Sequence, residues 1–102
     1  MRIEYERTGG FAGMRLAATI DTATLPADQA GALHSAVEAA HFFDLPARIP
    51  SRSGVADQFL YHVAIEDVGK RHTVDVGETA APPALQALLQ QLTQLAQSAR
   101  GK

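Results

Sequence analysis

The chain has 102 residues, of which 46% are hydrophobic and 20% are charged, a composition typical of one globular domain with a modest core. Its formal net charge of -2 excludes the basic excess that general nucleic-acid binding requires, and the absence of cysteine excludes disulfides and cysteine-ligated zinc. The charged N-terminus has no apolar segment of the secretory type, and no apolar run approaches the roughly 20 residues of a membrane span. These features predict a cytoplasmic protein that neither enters a membrane nor carries a secretion signal.

The first segment of the chain has the pattern of a β-hairpin. Residues 2–7 alternate, with Ile3 and Tyr5 on one face, which predicts a half-buried strand. A second alternating run covers residues 14–20. The glycine-rich stretch between the two runs, residues 8–13, predicts a loop longer than a two-residue turn.

A helix is predicted over residues 26–41. Pro26 suits its first turn, and the negative charge of Asp28 complements the helix dipole there. The apolar residues that recur at helical spacing are Leu33, Ala36, Val37 and Ala40. The helix is expected to end before Leu45, because a residue that precedes proline disfavours helical angles. Residues 46–57, with two prolines, are predicted to form a loop.

The second half of the chain repeats this plan. Residues 59–66 and 71–76 alternate as two strands, joined by a turn in which Gly69 adopts a positive φ. A register that places Val63 on the same face as Val74 and Val76 keeps Asp75 off that face. In this register His72 is expected on the apolar face and His62 on the opposite face, near Asp75. A last helix is predicted from Pro82-Pro83 onward. The stripe that it buries is Leu85, Leu88, Leu89, Leu92, Leu95 and Ala96.

The predicted order is ββαββα. We expect one α+β domain over residues 1–102, with a four-stranded antiparallel sheet and both helices packed on one face of it. The leucine stripe is short for a coiled coil, so covering the domain's own sheet is its expected use.

Neither catalysis nor a cofactor is indicated by the sequence. His34 and His41 lie seven residues apart, a spacing that does not let one helix grip a metal ion as an i, i+4 pair does. With His62 and His72 on opposite faces, we predict no metal site, no catalytic residues and no cofactor. The glycine-rich stretch leads into a strand and not into a helix, unlike a phosphate-binding loop.

The feature that points to binding is a segment of five residues, Gly9, Gly10, Phe11, Ala12 and Gly13. Its large aromatic side chain has small neighbours on both sides. Phe11 either folds back to plug the core of the hairpin or points outward as an anchor for a partner's pocket.

Several short motifs resemble the emfourin family of small bacterial proteins, in the same order and over most of the chain. They are Arg7–Gly13, Asp21-Thr22 with Leu25-Pro26, Phe42–Pro46, Asp57–Tyr61 and Gly69–Val74. The resemblance implies a proteinaceous inhibitor of thermolysin-like (M4) zinc metalloproteases, with a protealysin-like enzyme as partner. Because such proteases favour a bulky apolar residue just after the scissile bond, we hypothesise that Phe11 fills that pocket while Gly9 and Gly10 lie along the cleft.

Two alternatives stay open at this stage. The loop over residues 50–57 is a second candidate contact, alone or beside the first, because its length and prolines suit a binding segment. A different class of function is a non-inhibitory interaction module, which pairs an exposed sheet edge with a peptide or another copy of itself.

Overall fold

The computed structural model describes residues 1–9, 15–49 and 59–100. The strands are β1 (Arg2–Gly9), β2 (Leu16–Asp21), β3 (Arg48–Ile49), β4 (Phe59–Asp67) and β5 (Lys70–Gly77), and the helices are α1 (Ala27–Ala39) and α2 (Pro83–Arg100). Short 3₁₀ turns cover Thr22–Thr24 and Phe42–Asp44. The α+β class, both predicted hairpins and both predicted helices are confirmed.

The sheet has five strands in the order β2-β1-β4-β5-β3, so the prediction of four antiparallel strands is wrong. The additional strand lies within the predicted loop over 46–57 and runs parallel to β5. Without it, β5 would be an edge strand with outward backbone groups. The carbonyl of Ala47 accepts a 2.9 Å hydrogen bond from the amide of Asp75, and Ile49 packs against the core. The two hairpins are adjacent, because β1 pairs with β4.

One face of the sheet carries the core. Ile3 and Tyr5 of β1 are buried as their alternation predicts, and the register of β4 and β5 places Val63 opposite Val74 on the same side. Both helices pack on this face, because their buried side chains belong to the same cluster as those of the strands. The opposite face, which we call the helix-free face, presents Glu4, Glu6, Thr19, His62, Thr73 and Asp75.

The two helices follow the predicted apolar patterns. Five of the six predicted stripe residues of α2 are buried, and Leu95 packs at the edge of the core. Helix α1 is slightly shorter than the predicted 26–41, because it ends at Ala39 and His41 takes a left-handed conformation with φ 50°. This residue reverses the chain, which lets Phe42 enter the core.

Candidate functional site

The two candidate binding segments are attached to the same end of the sheet. Gly9, the last residue of β1, is the register partner of Phe59, the first residue of β4. Next to them, β5 ends at Gly77 and β3 ends at Ile49. We call this the loop end and define it by these four residues. Residues 10–13 and 50–57 leave from it but lie outside the described residues.

Gly9 is therefore the one described residue of the predicted binding segment. It is partly exposed, and its φ of 86° lies in the region that favours glycine. The chain thus leaves β1 through a backbone conformation that a residue with a Cβ atom adopts only with strain.

An arginine and an aromatic ring pack together beneath the loop end. The guanidinium carbon of Arg7 lies 4.1 Å from the centre of the Phe59 ring, a cation–π contact. The Nε atom of Arg7 is buried without a hydrogen-bond partner among the described residues. The Phe59 ring is followed by that of Tyr61 at 6.5 Å and then by that of Tyr5, 6.2 Å further on. The aromatic row connects the loop end to the core.

Glu78 fixes the start of β4. Its backbone amide donates to the carbonyl of Phe59 at 3.0 Å, and its Oε1 atom accepts from the amide of Phe59, also at 3.0 Å. A hydrogen bond to a carboxylate is stronger than one between neutral groups. Both backbone groups of the residue that follows the 50–58 segment are thus held by one neighbour.

The tyrosines of the aromatic row serve packing. Burial raises the pKa of Tyr5 and that of Tyr61 above the ordinary value, while the nearby Arg7 acts in the opposite direction on both. The hydroxyl groups of Tyr5 and Thr93 lie 2.5 Å apart, which satisfies the buried phenol. Both phenols are neutral at physiological pH, so neither supplies a charged catalytic base.

A groove of about 740 Å³ on the helix-free face adjoins the loop end. Its lining combines Thr8, the half-exposed Leu60, and a hydrogen bond between the His62 ring and the Asp75 carboxylate. Charged side chains beside a few apolar ones, in an open groove, suit contact with a polar protein surface better than enclosure of a small ligand.

The histidines lie where the register argument predicted. His62 contacts Asp75 on the helix-free face, whereas His72 lies on the core face, where its Nε2 is 2.6 Å from the carbonyl oxygen of Leu45. The ring of His72 also packs edge-to-face on Phe42 at 5.7 Å. Within residues 1–9, 15–49 and 59–100, no group of three or more metal-binding side chains converges.

Sequence analysis missed the arrangement of Arg7, Phe59 and Glu78. A signal was present, because Arg7 follows Ile3 and Tyr5 in the alternation and therefore points toward the core face. Its contact with Phe59 depends on the pairing of β1 with β4, which the sequence left open. No helix among the described residues has the length and apolar character needed to cross a membrane.

The family model described as Emfourin matches residues 5–93 of the 102-residue chain. This range begins in β1, ends in α2 and includes the whole loop end. No curated protein and no solved structure matches the chain.

Proposed function

Because the chain belongs to the Emfourin family, we propose that it is a proteinaceous inhibitor of a thermolysin-like (M4) zinc metalloprotease. Membership of this family suggests a protease-inhibitor role, and with it a protease as partner and a non-enzymatic function. The match over residues 5–93 is the observation that carries the proposal. The restriction to M4 enzymes, such as those similar to protealysin, is the finer part of the proposal.

The proposed contact with the protease is the segment Gly9, Gly10, Phe11, Ala12 and Gly13. Phe11 would fill the pocket that receives the bulky apolar residue after the scissile bond, and the adjoining glycines would let the two backbones approach closely. The position of Gly9 supports this, because β4 holds it on one side and its positive φ redirects the chain.

A segment held at both ends has less conformational entropy to lose on binding than a free peptide has. On one side, β1 pairs with β4 as far as Gly9, which lies opposite Phe59, and on the other side Leu16 at the start of β2 is buried and pairs with Arg7. Such preorganisation favours tight binding through few contacts. It also favours resistance to cleavage, since a held segment does not adapt freely to the catalytic groups.

The segment over residues 50–57 is a second proposed contact with the same protease. It leaves β3 after Ile49 and returns at Phe59, the register partner of Gly9. Two segments attached this close together can contact one partner surface. The groove around Leu60 lies beside their attachment points and would form the edge of the interface.

The test is a titration of the purified chain into a panel of M4 metalloproteases, with cleavage of a quenched peptide as readout. We expect stoichiometric loss of activity against at least one M4 enzyme, with the chain intact on a gel. A serine protease in the same assay serves as the control and should keep its activity. Full activity of every M4 enzyme, including one whose gene neighbours that of this chain, would contradict the proposal and favour a non-inhibitory interaction module.

A further inference from the structure

Strand β2 is a free edge of the sheet, and its backbone polar groups alternate in direction. The amide of Thr22 donates to the carbonyl of Met1 at 3.0 Å, which extends the register of β1 and β2 by one bonded pair. Because bonded pairs alternate in an antiparallel ladder, even-numbered residues of β2 bond to β1 and odd-numbered ones point outward. The N–H and C=O groups of Ala17 and Thr19 therefore face away from the sheet. No other described residue bonds to them.

This edge lacks the features that keep natural sheet edges from pairing. The sequence of β2, Leu-Ala-Ala-Thr-Ile-Asp, contains no lysine and no proline, and its charge is confined to the last residue. The outward residues Ala17 and Thr19 are small and exposed, so they leave the approach to the backbone open. The opposite edge differs, because β3 covers Asp75 and Val76 of β5 and the uncovered part of β5 begins with two positive charges, Lys70 and Arg71.

We propose that two copies of the chain associate through β2, antiparallel, with Ala17 of each copy facing Thr19 of the other. The two-fold axis then passes beside Ala18. This register joins outward groups to outward groups and overlaps residues 16–20 of the two β2 strands. The two Ala17–Thr19 pairs would form roughly four backbone hydrogen bonds, and the two sheets would become one.

The charges of the helix-free face favour this register and a second copy of the chain as the partner. One row across the sheet alternates in sign from β5 to β2: Arg71, Glu66, Arg2 and Asp21. Within one chain the Nε atom of Arg15 contacts Glu6. The proposed pairing also places Arg15 of the second copy next to Asp21, so the alternation continues across the interface. A shift by two residues would instead place Asp21 opposite Ala17, or Arg15 opposite Thr19. Both copies gain the same charge pair, as two-fold symmetry requires.

The association is expected to be weak. Leu16 and Ile20 are 5% and 7% exposed within one chain, so pairing buries little additional apolar surface. Backbone hydrogen bonds and charge pairs supply the binding energy, which corresponds to a dissociation constant between about 10 µM and about 1 mM. Since β2 runs antiparallel to its copy, the two loop ends lie at opposite ends of the pair. The loop end of each copy therefore lies away from that of the other.

Single cysteines test the register directly, because the natural chain contains none. In the proposed pair, Ala17→Cys and Thr19→Cys face each other, about 5.5 Å apart between Cα atoms, a distance that suits a disulfide. Within a pair of identical variants the thiols lie on the diagonal, about 7–8 Å apart. A mixture of the two should thus form the mixed disulfide about tenfold faster than either variant forms its own. Equal rates, or faster disulfide formation by one variant alone, would overturn the register.

Sedimentation of the unmodified chain over a concentration series tests the association itself. We expect a monomer–dimer equilibrium that Thr19→Pro weakens at least about tenfold, because proline removes an outward amide that β1 does not use. Thr19→Val keeps the amide and should leave the equilibrium unchanged. Circular dichroism verifies that both variants fold. If the chain stays monomeric up to about 1 mM, the proposal is overturned. This holds even if the edge binds an extended peptide.

Discussion

The two ends of the sheet are built differently although the same strands supply both. At the loop end, β1 ends at Gly9 and β4 begins at Phe59, whose amide is bonded to Glu78 and whose ring packs on Arg7. The segments 10–14 and 50–58 are attached there. At the other end, which we call the turn end, Val68 and Gly69 form a two-residue turn. The amino group of Met1 lies 3.8 Å from Asp67 beside that turn. A partner protein that binds a segment of several residues can therefore find one at the loop end, whereas the turn end has a two-residue turn.

The largest effect on the free energy of unfolding is expected at the loop end. Glu78→Ala removes the carboxylate that accepts from the amide of Phe59 and leaves that half-buried amide without its partner. The loss should be about 2 kcal/mol in urea denaturation. Glu78→Gln is the matched variant, because its amide oxygen still accepts, and it should lose less than about 1 kcal/mol. Equal losses in both variants would mean that this hydrogen bond does not stabilise the loop end.

The turn end offers the opposite change, a gain in stability. Val68 has φ 44° and Gly69 has φ 80°, so both central residues of the turn have positive φ, as a type I′ turn requires. A β-branched residue is strained in this conformation, and Val68 is 94% exposed, so its side chain contributes little packing. Val68→Asn should raise the free energy of unfolding by about 1 kcal/mol in the same assay. An unchanged or lower value would show that the valine is not strained.

A smaller effect concerns the aromatic row beneath the loop end and appears at high pH. Burial raises the pKa of both tyrosines in the folded chain above the value near 10 of an unfolded tyrosine. The folded state thus binds the phenolic protons more tightly, and this contribution to stability is complete below pH 10 and lost as the pH rises through the folded values. The chain contains two tyrosines and no tryptophan, so tyrosinate absorbance reports on this row alone. A titration midpoint at the ordinary value, in chain that is still folded, would contradict the packing described for the row.

The sequence was sufficient to predict the elements in which the alternation or stripe of hydrophobic residues continues over many residues. The alternation in residues 59–66 and the stripe of α2 predicted which side chains are buried, because a sheet with one covered face leaves little choice of register. It was not sufficient for β3. Two residues are too few to show a period, and Ile49 stands between polar and proline neighbours. The parallel pairing depends on the free edge of β5, which only the assembled sheet presents.

For the candidate site, the binding segment stays a prediction from the sequence, and the contacts near its base were not predicted. The glycines and Phe11 attract notice in the sequence because aromatic residues rarely have such small neighbours on both sides. Gly9 lies opposite Phe59, which Glu78 holds, and both of these residues lie far along the chain and come next to Gly9 through the pairing of β1 with β4. Local patterns do not record such long-range partners.

The most direct test of whether the loop end carries the inhibitory contact compares one variant from each end of the sheet in a protease-inhibition assay. Phe11→Ala changes the segment attached to the loop end, and Val68→Asn changes the exposed turn at the other end. We expect the inhibition constant against a susceptible M4 protease to rise at least about tenfold for Phe11→Ala and to stay within about twofold for Val68→Asn. An unchanged constant for Phe11→Ala, or an equal rise in both variants, would contradict the claim that the loop end carries the inhibitory contact.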